Sequence, residues 1–157
     1  KSSMNRDSRL SGVLHVLLHM AEYRRPVTSE ALGKVMRTNP VVIRRVMAGL
    51  RERGFVHAEK GHGGGWTIAR DLAAITLRDI YDGIGSPPLF AIGNRSEAPD
   101  CIVEQSVNAI LDRSLRDAEA LLLASFAKVT LAQLSADFHR RLGPRARRHF
   151  QDMAHDD

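Results

Sequence analysis

The chain has 157 residues, 43 % of them apolar, and its 23 Lys+Arg against 18 Asp+Glu give a formal net charge of +5. That length suits one compact domain with an accessory element, and the apolar share is enough to build a core. The single cysteine, Cys101, excludes a disulfide framework and an all-cysteine metal or iron–sulfur site within one chain, and no apolar run approaches the length of a membrane span.

Lys1-Ser2-Ser3 ahead of Met4 reads as the end of an expression tag, and no signal peptide is expected. The first predicted helix covers residues 7–23. Asp7 or Ser8 is placed to cap it, and Leu10, Val13, Leu14, Leu17, Leu18 and Ala21 recur at helical spacing. Arg24-Arg25-Pro26 ends it, because Pro26 has no N–H to continue the ladder. A second, shorter helix opens at Val27-Thr28-Ser29-Glu30-Ala31-Leu32, with Thr28 or Ser29 as its cap. It buries Leu32, Val35 and Met36, and Thr38-Asn39 breaks it. A third helix starts at Asn39, a strong cap, with Pro40 where a missing N–H costs nothing. It runs to about Arg53, with Gly54 as a left-handed end residue. Ile43, Val46, Met47 and Leu50 fall at i, i+3, i+4, i+7 and define a buried face. The opposite face carries Val41, Val42, Arg44, Arg45 and Arg51.

Phe55-Val56-His57-Ala58-Glu59 and Trp66-Thr67-Ile68-Ala69 alternate as strands do, around Lys60-Gly61-His62-Gly63-Gly64-Gly65. The pattern predicts a β-hairpin with a glycine-rich tip. Residues 76–84 form a short helix capped by Thr76 and stopped at Gly85. Gly85, Pro87, Pro88, Gly93 and Pro99 mark residues 85–100 as a loop. The longest helical pattern runs from Ile102 to about Lys128, roughly 40 Å at 1.5 Å per residue. Residues 131–142 form a last short helix, and the polar segment from Gly143 onward is expected to fray.

The order helix, helix, turn, helix, hairpin predicts a mainly α fold: a winged helix-turn-helix with a two-stranded β wing and a long C-terminal dimerisation helix. Residues 4–84 are the DNA-binding head, 85–101 a linker or sensor loop, 102–142 the dimerisation part and 143–157 a flexible tail. Charge follows this division. Residues 1–70 hold 13 Lys+Arg against 5 Asp+Glu, net +8, whereas residues 71–142 hold 7 against 10, net −3. A basic head suits a polyanion. A helix fits the major groove and points its first turns at base edges. The candidate contacts are therefore Asn39, Pro40, Val41, Val42, Arg44 and Arg45 on the third helix, and Thr28 and Ser29 where the second begins. In the wing they are Lys60, Gly61, His62, Gly63 and Gly64. Arginine can donate two bonds to guanine or one to a phosphate, valines can meet thymine methyls, and glycines let the wing backbone approach closely. No Ser/His/Asp order, paired carboxylates or metal motif points to an enzyme. The contrasting reading is a winged helix used only for protein contacts.

A resemblance becomes specific on Leu18-His19-Met20-Ala21, Val27-Thr28-Ser29-Glu30-Ala31-Leu32, Asn39-Pro40-Val41-Val42, Leu50-Arg51-Glu52-Arg53-Gly54-Phe55-Val56 and Ile75-Thr76-Leu77-Arg78-Asp79-Ile80. Its most specific part is the wing, Gly61-His62-Gly63-Gly64-Gly65-Trp66-Thr67-Ile68-Ala69-Arg70, and it continues to Val129-Thr130-Leu131-Ala132-Gln133-Leu134. Over residues 6 to about 140 the chain resembles the Rrf2 family of bacterial regulators. The lone cysteine makes a cytoplasmic protein the expectation, and the resemblance implies a homodimer, held by the long helix, that reads a two-fold-related double-stranded DNA operator, with repression the expected outcome. The long helix supports a dimer independently. Val103, Val107, Leu111, Leu115, Ala118, Leu122 and Phe126 form one apolar row, and Ile110 and Leu121 belong to a second. One row can face its own domain and the other a partner.

Cluster-binding members of that family carry three cysteines in the loop before the long helix. This sequence has only Cys101 there, so no cluster ligands carry over and no cofactor is expected. Cys101 is instead the sensor candidate. The helix N-terminus favours its thiolate, and the adjacent Asp100 opposes it. The candidate signals are an oxidant or a small-molecule effector in the 85–101 loop. His15 and His19 sit at i, i+4, but two imidazoles without a nearby carboxylate or thiol do not make a metal site.

Overall fold

The computed structural model describes residues 7–23 and 25–153. The tag residues and Met4, Arg24 of the helix-ending triplet, and residues 154–157 of the tail lie outside the described residues.

Local signals set most boundaries. Helix α1 (Arg9–Glu22) begins after Ser8, whose side chain makes no cap bond; Asp7 accepts from the Arg9 N–H at 3.0 Å instead. Helix α2 (Ser29–Met36) is capped by Thr28, whose hydroxyl accepts from the Ala31 N–H at 3.1 Å. Arg37, in the left-handed region at φ 54°, ends it one residue before the expected break. Helix α3 (Pro40–Glu52) has Asn39 as its cap, with Oδ1 accepting from the Val41 N–H at 2.9 Å, and Gly54 follows at φ 78°. Strands β1 (Val56–Glu59) and β2 (Gly65–Ile68) pair antiparallel, Val56 opposite Ile68 and Glu59 opposite Gly65. A single 3₁₀ turn (Leu72–Ala74) leads to α4 (Leu77–Gly83), which carries a full capping box between Thr76 and Asp79. The irregular segment after Gly85 then reaches α5 (Ile102–Phe126) and α6 (Leu131–Met153).

One core unites the head. Val13, Val16, Leu17 and Met20 of α1 meet Leu32 of α2 and Ile43, Met47 and Leu50 of α3, with Phe55, Val56, Ile75 and Ile80 closing the sides. Burial of side chains this size stabilises by about 1.5–3 kcal/mol each before entropy is counted. Leu131 at the start of α6 also lies in this core, fully buried. The backbone follows it: the Leu77 N–H donates to the Val129 carbonyl at 2.9 Å, and the Leu131 N–H to the Ile75 carbonyl at 2.8 Å. The start of α6 therefore docks on the head. His139 on α6 reaches the almost buried Glu22 of α1 at 2.5 Å, along the same seam.

Two further expectations change. Gly143, at φ 68°, interrupts α6 where the sequence ends the helix, but helical structure resumes through Met153 instead of fraying. The two apolar rows of α5 also divide differently. At 3.6 residues per turn, Val103, Val107, Ile110 and Leu121 share one stripe, and all are at least half exposed. Leu115, Leu122 and Phe126 are only half-buried and lie on another side, Phe126 stacking near Tyr81 of α4 at 6.1 Å between ring centroids. No residue of this 25-residue helix is buried.

Candidate nucleic-acid interface

Helix α3 is amphipathic in the sense its sequence requires. Ile43, Met47 and Leu50 are buried, while Val41 and Val42 are 53 % and 43 % exposed and Arg44 and Arg45 are open to solvent. Two exposed β-branched side chains in the first turn of a helix add nothing to its own stability, and they are of the right kind to meet thymine methyls. Arg44 is held by Glu30 of α2 at 3.0 Å. The Glu30 carboxyl lies below its ordinary value, first through its own backbone N–H and then through Arg44. Both side chains are more than half exposed, so the pair is weak and a phosphate or guanine edge can displace it. Asn39 commits its side-chain oxygen to the cap, but its NH₂ group is outside that bond.

The wing is fastened to α2 by contacts that local sequence does not reveal. Val27 and Trp66 exchange two backbone hydrogen bonds, 3.0 and 2.8 Å, which add Val27 as an edge to the hairpin. The Trp66 indole N–H donates to the Ser29 hydroxyl at 2.9 Å. Ser29 is 7 % exposed and its hydroxyl serves this bond, so the structure puts it behind the surface on which it was expected. At the tip, the Gly64 N–H donates to the Gly61 carbonyl at 3.0 Å, and Gly61 and Gly63 take positive φ in open space. Lys60, Gly61, His62 and Gly63 are exposed, and Gly64 is half-buried. Arg70, exposed at the hairpin base, lies with its guanidinium 5.1 Å from the Phe55 ring centroid.

Thr28, Gly61, His62, Gly63 and Gly64 line one open cleft of about 400 Å³. Its other wall is the turn between α1 and α2, including Tyr23, Arg25 and Pro26. Sequence reasoning took Arg25-Pro26 only as a helix terminator. A cation immediately ahead of a helix N-terminus was the signal that could have marked it as part of the site.

Cys101 lies apart from this face, exposed at the start of α5. Its thiol sits below its ordinary pKa through the nearby Glu104 and Val103 backbone N–H groups of the first helical turn, although its side chain makes no cap hydrogen bond. The 85–101 loop lies along α5: Asn94 donates to Asp112 at 3.0 Å and Asn108 to the Ser96 carbonyl at 2.7 Å. His15 and His19 bring their Nε2 atoms to 2.9 Å, and burial lowers the His19 pKa. Glu22, one turn on, supplies a carboxylate that the sequence reading passed over, but it faces His139.

A family model described as Rrf2, iron-dependent transcriptional regulator, matches residues 6–137. The chain is similar to two proteins of Bacillus subtilis named as HTH-type transcriptional regulators. It is 32 % identical to YwgB over 69 residues, 44 % of each chain, and 25 % identical to YwnA over 126 residues, 80 % of this chain and 92 % of that one. A solved transcriptional regulator from Lactobacillus plantarum superposes with a TM-score of 0.69 at 26 % identity, covering 83 % of this chain and 89 % of that one. The iron of the family description does not fit the donors present. The whole sequence has one cysteine, and among the described residues no group of three or more His, Cys, Asp or Glu is placed to hold a metal ion.

Proposed function

The chain belongs to the Rrf2 family of DNA-binding transcriptional regulators, and from that premise we propose that it acts as a homodimeric repressor on a two-fold-related operator. The observation that carries this reading is the exposed α3 face, Val41, Val42, Arg44 and Arg45, standing beside a rigidly attached wing. In each copy α3 enters the major groove and the wing follows the flanking backbone. The exposed stripe of α5 supports the pairing of two copies, and a dimer seated across a promoter excludes the polymerase. No helix among the described residues is long and apolar enough to cross a membrane, and we place the protein in the cytoplasm with its DNA.

Arg44→Ala and Arg45→Ala are each expected to weaken binding to a duplex selected from random DNA by about tenfold to a hundredfold. Size-exclusion is expected to find both variants the same size as the parent. Unchanged affinity in both would remove α3 from the interface and favour a protein-contact role.

The signal is assigned to Cys101. Its thiolate attacks hydrogen peroxide, takes one oxygen as sulfenic acid and releases hydroxide. Peroxide is expected to lower selected-duplex affinity of the parent and leave Cys101→Ser unaffected. An equal response in both would transfer the signal to an effector in the 85–101 loop.

A further inference from the structure

The cleft under the wing tip has features that neither a bare turn nor a packing defect requires. Its two walls come from distant parts of the chain, yet they are bonded directly to each other. Val27 and Trp66 are bonded in both directions, Trp66 is bonded to Ser29, and Gly65 lies so close to Val27 that a Cβ would stand 2.5 Å from the Val27 carbonyl oxygen. One wall has Gly61 and Gly63, whose positions carry no side chain and have nothing within 4 Å of a built Cβ. The other has the exposed Arg25. Arg25 and His62 contribute basic groups, Thr28 and Tyr23 hydroxyls, and no Asp or Glu is among the described residues that line it. An open cleft with no carboxylate among its described lining residues, with Arg25 on one wall and bare glycine backbone on the other, has the chemistry of a phosphate seat. Its position also fits. Thr28 lines the cleft and caps α2, and α2 packs on α3.

We propose that this cleft seats one phosphodiester of the DNA backbone, with the Arg25 guanidinium as its counter-charge and the glycine wall as its surface of close approach. The proposal rests on the DNA-binding reading above. It adds a residue, Arg25, that positions the head on the duplex without reading its sequence.

The test follows duplex affinity of the full chain by fluorescence anisotropy across a salt series. Each phosphate neutralised contributes about 0.9 to the slope of log K against log salt. Arg25→Ala is expected to make that slope shallower by about one. Its affinity loss is expected to be the same factor on a random-sequence duplex and on a selected one, because a phosphate contact carries no sequence information. Arg25→Lys keeps the charge and is expected to restore the slope. Arg141→Ala, which removes a cation paired with Asp137 on α6, is expected to leave it unchanged. If the parent binds with a steep slope and Arg25→Ala keeps it, or if Arg141→Ala lowers it equally, the phosphate seat is overturned while DNA binding stands. A parent with no salt-dependent binding removes both. Inorganic phosphate, titrated into the DNA-free protein, tests the other source of the same chemistry. Saturable binding that Arg25→Ala abolishes, with an unaltered DNA salt slope, would make the cleft a small-anion pocket and overturn the proposal.

Discussion

Replacing Ile110 and Leu121 together by glutamate is expected to turn a dimer into a monomer and to lower operator affinity to the level of random DNA. The reason lies in α5. Ile110 is 57 % and Leu121 76 % exposed in a single chain, and they share a stripe with Val103 and Val107. A long helix with no buried residue and an apolar row facing water does not hold its place by its own packing. In the proposed homodimer a second copy of the same stripe, related by a two-fold axis, would cover it with like chemistry. Two carboxylates placed in that seam must be desolvated or must push the helices apart, at about 4 kcal/mol or more, which is about a thousandfold in the dimer constant. The head keeps its core, since neither residue belongs to it, so the far-ultraviolet circular dichroism of α1 to α4 should survive. Sedimentation equilibrium measures the mass directly. A double variant that remains a dimer would show that this stripe is not the interface.

The second large effect is expected at Gly65. Its φ is +147°, and a Cβ there would stand 2.5 Å from the Val27 carbonyl oxygen and 2.6 Å from the carbonyl carbon. The obstacle is backbone held by two hydrogen bonds to Trp66, so it cannot yield as a flexible side chain would. Gly65→Ala is therefore expected to cost about 2–4 kcal/mol, lowering Tm by roughly 6–12 °C at about 3 °C per kcal/mol. It should also loosen the wing from α2 and weaken DNA binding. Gly61→Ala is the contrast. Its φ of +89° is strained for alanine, but nothing lies within 4 Å of the new methyl group. The loss there is expected to be about 1 kcal/mol. Equal melting temperatures for the two variants would contradict the close contact between wing and turn.

These two sites differ in how far the sequence announces them. Most local signals read correctly, although Gly143 interrupts α6 without ending it. Asn39-Pro40 starts α3, Thr76 caps α4, and the hairpin forms around its glycines. Caps and tight turns are decided within a few residues. Contacts across the chain are different. Nothing near Ser29 marks it as the acceptor for Trp66, 37 residues away, and a small hydroxyl at a helix start reads equally well as a surface contact. Nothing near Leu131 marks it for the head core, since an apolar periodicity names a buried face without naming its neighbour. The same ambiguity misassigned the rows of α5. Leu115 and Val103 are alike in spacing and chemistry, and only the position of α4 decides which one turns toward the head.

The measurement that bears most directly on the proposed function is the stoichiometry and salt dependence of binding to a selected operator duplex. Native mass spectrometry should find two chains on one duplex carrying an inverted repeat, with half-site centres one helical turn or a multiple apart. Affinity should fall linearly in log K against log salt, with a slope set by several phosphate contacts. One chain per duplex, or an affinity indifferent to salt, would contradict a dimeric winged head that reads DNA.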